Sequence, residues 1–246
     1  MTMNLEEKFN RVKKSKTPEE IDDFLIEIGR NPRIGYLPFI EYFMENCDPP
    51  LFHKIKLNLI YALGEVGKLK KIPAKFSKFL ISEYNGSDRW VRDEVIKTFE
   101  KLSSNTILDD DVIKLLGMAS NEEYQPISIN ALKILSKRIH SLPKTILRNI
   151  LNAFNSSSSD LRELASEVLI KMVKNEEELF ESLLQNDNYK ILKKNAIRSL
   201  LVIYFNSIFS IESFRQKIIE SKIESLHKDI ILNEIKIYKS LLSKVL

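Results

Sequence analysis

The chain has 246 residues, 43% of them hydrophobic and 29% charged, with 38 basic side chains against 34 acidic ones and a formal net charge of +4. Six glycines and eight prolines are too few turn-formers for a β-sandwich or barrel of this length, so the composition points to a mostly helical chain. A single cysteine, Cys47, excludes an intrachain disulfide and any multi-cysteine zinc or iron–sulfur site, and it fits a reducing, cytoplasmic setting.

In chain order, residues 21–29 read as a first capping helix inside an N-terminal cap over 1–30. From 31 to 205 the pattern predicts helices in pairs. First helices are expected over 34–46, 72–84, 108–119, 143–154 and 176–185. Second helices carry a repeat that aligns without gaps over nine positions, starting at Ile55, Val91, Ile127, Leu161 and Leu192. These starts lie 36, 36, 34 and 31 residues apart. Position one is always aliphatic. Position two is basic in four of the five (Lys56, Arg92, Arg162 and Lys193) and is Ser128 in the other. Apolar residues return at positions one, five, eight or nine, and twelve, the spacing of one helix face. Helices this short need neighbours to pack on.

Polar or breaker segments precede the second helices: Asn85-Gly86-Ser87-Asp88, Asn121-Glu122-Glu123, 155–160 and Asn186-Asp187-Asn188. The repeat phase runs through Ser156–Ser159, which therefore reads as a loop within one array and not as a linker. Pro73 and Pro143 fall near helix starts, where a missing N–H does no harm. Asp109–Asp111 place negative charge at another start. Gly67 reads as a helix C-cap. Residues 211–246 read as a terminal pair within a C-terminal cap over 206–246.

The pattern aliphatic-basic-x-x-Ala-x-x-x-Leu resembles the HEAT repeat family, an armadillo-like class. The best matches are Val91-Arg92 with Val95 and Phe99, and Leu161-Arg162 with Ala165 and Leu169, each following an acidic turn. The departures are Ser128 at position two, and Leu59 and Val95 where the family has alanine. The resemblance covers about residues 30–205. It implies an all-α fold, a right-handed α-solenoid of six to seven antiparallel helix pairs forming a single array over 1–246, with the second helices along its inner face. It does not imply one function, because such repeats serve adaptors, transport receptors, enzyme subunits and a few enzymes.

Function is then expected on exposed positions of the second helices. Position seven reads Tyr61, Lys97, Lys133, Glu167 and Arg198; position eleven reads Glu65, Lys101, Lys137, Lys171 and Val202. One turn apart on each helix, Lys97, Lys101, Lys133, Lys137 and Lys171 form a candidate basic ladder for an acidic peptide or phosphates. Solvated helix surface is the plain alternative for these lysines. The position-two cations are expected to make structural contacts between neighbouring pairs. Trp90, the one tryptophan, is expected to pack at a turn or to anchor a partner; Tyr61 and Tyr204 are further inner-face aromatics, the latter partly buried. Residues 1–123 hold 19 basic and 21 acidic side chains, and residues 124–246 hold 19 and 13, an asymmetry that bears on partners.

No catalytic cluster emerges. His53, His140 and His227 stand far apart, without a metal-binding spacing. The iron-dependent hydroxylases of HEAT type use His-Glu pairs, and this sequence has none. HEAT-like DNA glycosylases offer one enzymatic alternative, with Asp93 near Trp90, Lys97 and Lys133 imitating their carboxylate, although Asp93 reads more simply as an exposed residue at a helix start. The expectation is a non-enzymatic scaffold or adaptor with a protein partner, nucleic acid being the alternative, and with neither cofactor nor metal. No run approaches the roughly 18 apolar residues of a spanning helix, and the basic N-terminal stretch has no apolar centre. Membrane insertion is therefore not expected. A stripe of Ile230, Ile231, Ile235, Ile237 and Leu241 near the C-terminus either caps the array or supports a dimer.

Overall fold

The computed structural model of the chain describes residues 5–138 and 142–245, and all regular structure among them is helical. Two compact units divide the chain, Met1–Val112 and Ile113–Leu246. The first holds α1 (Leu5–Ser15), α2 (Pro18–Arg30), α3 (Leu37–Asn46), α4 (Pro49–Gly67), α5 (Ala74–Gly86) and α6 (Arg89–Ser103). The boundary falls inside α7 (Asp110–Ala119). The second unit continues with α8 (Gln125–Lys137), α9 (Leu147–Phe154), α10 (Ser159–Met172), α11 (Glu176–Leu184), α12 (Lys194–Tyr204), α13 (Ile208–Glu220) and α14 (Ser225–Val245).

Packing within each unit follows the expected alternation. In the first, α4 packs on α2 and on α6, while α3 and α5 pack on α4 and α6. In the second, α10 packs on α8, α9 and α12, and α14 on α12 and α13. This helix-on-helix arrangement is consistent with a helical repeat. The repeat's apolar positions form the cores: Ile55, Leu59, Leu63, Val95, Phe99, Ile127, Ala131, Leu135, Ala165 and Leu169 are all fully buried. Each large side chain among them stabilises its unit by about 1.5–3 kcal/mol.

Helix starts follow local chemistry. Asp48 accepts from the Leu51 N–H (2.9 Å), Asp88 from the N–H groups of Trp90 and Val91 (2.9 and 3.1 Å), and Asp109 from Val112 (3.0 Å). These carboxylates satisfy donors that no helical carbonyl can reach.

Several expectations need correction. A helix that the pattern missed, α1, precedes the expected capping helix within the N-terminal cap. Its Phe9 enters an aromatic cluster with Phe24, Phe39, Tyr42 and Phe43 at centroid distances of 4.5–6.0 Å. The helices expected over 34–46 and 143–154 each begin with a 3-10 turn, Ile34–Tyr36 and Lys144–Ile146, before α3 and α9. In α3, Pro38 occupies the first α-helical turn, where its fixed φ is favourable. The segment Gln185–Ile191 also winds as 3-10 turns, and Asn186 and Asp187 hold φ of 53° and 54°, a region that Asn and Asp tolerate better than most residues.

Gly67 is not a C-cap. It has no positive φ and lies buried at the end of α4. A Cβ there would stand 2.2 Å from Leu102 Cδ2, and one on Gly64 would stand 2.8 Å from Thr98 Oγ1. On α2, a Cβ on Gly29 would meet Tyr61 at 2.2 Å. The three glycines let α2, α4 and α6 approach closely, and the Thr98 hydroxyl uses that proximity to donate to the Ile60 carbonyl at 3.1 Å. Gly67→Ala should therefore destabilise the protein by about 1–3 kcal/mol through overpacking against fully buried Leu102. Gly86→Ala, with nothing within 4 Å of the added carbon, should be neutral or gain up to about 1 kcal/mol. Urea denaturation of the two variants beside the parent checks the contrast.

Candidate functional site

Position two of the repeat has a consistent task. Arg92 Nη1 donates to the Ser87 carbonyl at 3.0 Å, and Arg162 Nη1 to the Ser156 and Ser157 carbonyls at 2.7 and 2.9 Å. Ser128, the apparent departure, donates its hydroxyl to the Glu122 carbonyl at 2.7 Å. All three satisfy carbonyls of the turn that leads into their own helix. The expected link between neighbouring pairs is made by Lys56, which is buried and donates to Ser87 Oγ at 2.7 Å beside Glu83. Arg92 and Arg162 fold back on their own turns. Lys193 reaches the preceding turn through its backbone N–H, which donates to Asn155 Oδ1 at 2.8 Å.

A second recurring device sits at the other end of these helices, where the last carbonyls lack helical donors. Tyr204 on α12 donates its hydroxyl to the Val173 carbonyl that follows α10, at 3.0 Å, and Tyr238 on α14 donates to the Phe205 carbonyl that follows α12, at 2.7 Å. Lys171 on α10 donates to the carbonyls of Ser136 and Arg138 at the end of α8, the latter at 3.0 Å. In the first unit, Asn105 donates its amide to the Lys68 carbonyl after α4. Burial holds the Tyr204 hydroxyl well above the ordinary tyrosine range, with Glu178 adding to the shift.

The candidate partner residues fall into distinct environments. In the first unit, Lys101 lies 3.1 Å from Glu65 and 3.5 Å from Glu94, with its ammonium 4.9 Å over the Tyr61 ring. Lys97 lies 2.7 Å from Asp93 and 3.9 Å from Glu94. Two cations thus meet three carboxylates, and this part of the ladder carries no excess of positive charge. Asp93 is buried at 6% exposure, in contrast to the exposed position expected for it. Burial raises the Glu94 pKa above the ordinary carboxylate range against the opposing pull of Lys101 and Lys97. Trp90 is 56% exposed, with the Arg89 guanidinium 4.6 Å from its ring centroid.

In the second unit, Lys133 and Lys137 are exposed on α8, one turn apart. Lys171 is committed to the carbonyls named above. Arg198 grips Glu234 through Nε at 2.5 Å and Nη2 at 3.3 Å, and Glu234 is only 1% exposed while the arginine remains half open. That carboxylate was not foreseen; a glutamate inside the Ile-rich stretch of α14, with an arginine 36 residues earlier, was the available signal. Among the described residues no three His, Cys, Asp or Glu side chains converge in a way that could hold a metal ion. His140 lies outside those residues. No described helix is long and apolar enough to cross a membrane.

No protein-family model matches the chain, and no curated protein matches it either. The chain is similar to an engineered protein of known crystal structure at 16% identity and a TM-score of 0.49, over 95% of this chain and 97% of that one. A likeness at that level carries no argument.

Two outcomes follow from the charge geometry. Arg198→Met should cost about 1–3 kcal/mol in chemical denaturation, because Glu234 is left buried without its cation; a loss below about 0.5 kcal/mol would show that the pair does not support α14. Glu94 is a carboxyl with a raised folded pKa, so its contribution is present below the unfolded value and is lost as pH rises through the folded one. Thermal melts of Glu94→Gln should accordingly gain on the parent as pH rises above the ordinary glutamate value of about 4.3. A difference in Tm that shrinks over that range contradicts the burial argument.

Proposed function

We propose that this protein is a HEAT-like α-solenoid acting in the cytoplasm as a non-catalytic scaffold or adaptor, binding an acidic segment of a protein partner on the cationic surface of its second helices. The supporting observation is the exposed pair Lys133 and Lys137 on α8, in the half of the chain where 19 basic side chains oppose 13 acidic ones. An extended acidic peptide reads such a pair as successive charged contacts, which steer association more than they add affinity. Lys97, Lys101, Lys171 and Arg198 belong to the same row of positions, but their cations serve carboxylates or carbonyls of the protein itself. On this reading they shape the surface, and Lys133, exposed on α8, is the cation offered to the partner, with exposed Lys137 one turn along. Tyr61 is the aromatic member of the row, and Trp90 stands exposed at the start of α6 as a further aromatic contact.

The test is capture of partners from the native cell with the parent and with Lys133→Glu combined with Lys137→Glu. The double reversal should lose an acidic partner by tenfold or more, in the range of about 1.4 kcal/mol or above, whereas Lys97→Glu should have a smaller effect. Recovery of the same proteins at the same level by both would remove these lysines from the site. Titration with labelled duplex and single strands at two salt concentrations addresses the nucleic-acid alternative, for which affinity would fall steeply with salt.

A further inference from the structure

We propose that α14 is a self-association face through which two copies of this chain pair, antiparallel, about a two-fold axis near Asn233. The helix turns one side inward, burying Ile231, Glu234 and Ile235 at 1–3% exposure. Along the edge of that side, next to Glu234, run Leu226, Ile237 and Leu241 at 69%, 40% and 55% exposure, with Ile230 half-buried among them. Residues 226, 230, 237 and 241 follow the i, i+4, i+11, i+15 spacing of a single stripe. The intervals of four, seven and four read the same in both directions.

That symmetry is what a two-fold contact requires, because the same patch must meet itself. With the midpoint between Asn233 and Glu234, Leu226 of one copy falls opposite Leu241 of the other, and Ile230 opposite Ile237. The polar flank agrees. Asp229 and Lys236 are exposed, and among the described residues neither has an ion-pair partner. An antiparallel pair sets Asp229 of one copy beside Lys236 of the other, twice over, whereas a parallel pair would set like charges together. Asn233, exposed at the centre, has an amide with donors and an acceptor and can bond to its own counterpart. Twenty-one residues of helix give a contact line about 30 Å long.

Sedimentation equilibrium of the full 246-residue chain from about 1 to about 100 µM should show a mass rising from 28.7 kDa toward twice that value. Ile237→Asp combined with Leu241→Asp, both at exposed positions, should keep the single-chain mass while leaving the far-ultraviolet circular dichroism unchanged. Asp229→Lys alone and Lys236→Asp alone should each weaken pairing by about tenfold, and the two together should restore it. A parent that stays at single-chain mass throughout overturns the proposal. So does a dimer that responds to none of these substitutions, or a charge exchange that fails to recover the parent's association.

Discussion

An α-helix ends with carbonyls that have no donor in their own helix, and the repeat answers that constraint with side chains from the next second helix or the turn after it. Tyr204 closes the end of α10, Tyr238 closes the end of α12, Lys171 closes the end of α8, and Asn105 serves the segment after α4. The donors differ in chemistry: a phenol, an ammonium and an amide all meet the same need. This explains why the repeat reads clearly in its apolar positions and poorly in its polar ones. Selection for a hydrogen bond at a place does not select one residue type.

The same constraint limits which charged residues can serve a partner. A lysine that donates to a neighbour's carbonyls, or sits between carboxylates as Lys101 does, has little cationic potential left to offer. Partly buried ion pairs of this kind offset their attraction against desolvation, yet they decide which surface is electrically matched within the protein. In the first unit Glu65, Asp93 and Glu94 balance the two ladder lysines. In the second, α8 presents Lys133 to solvent. A row that looks uniform in an alignment is therefore divided by tertiary contacts into structural and exposed members.

Helical class, pairing and nearly all second-helix cores were legible because a spacing of 31–36 residues repeats an apolar face that has one physical solution. The buried run through Ile55, Leu59 and Leu63 needed no tertiary knowledge. α1 was not legible: Leu5, Phe9 and Val12 are too sparse to announce a helix, and Phe9 gains its meaning only from Phe39 and Phe43, which lie about thirty residues on. Gly67 was misread for a related reason. Glycine near a helix end suits a cap or a close approach equally, and only the position of Leu102 on α6 decides between them. The ladder was legible as charge but not as availability, since Lys171 and Arg198 find their partners 33–36 residues away.

The donors that close these helices always come from later in the chain. During synthesis, then, α4, α8, α10 and α12 leave the ribosome with bare carbonyls at their ends and acquire their closure only when the later donor has been made and has docked. Shortening the chain from its C-terminal side strips closure from the helix that remains, while trimming from the N-terminal side removes a recipient and leaves every other donor employed. The order of residues thus gives the second unit a direction in which it is completed, and a direction in which it frays.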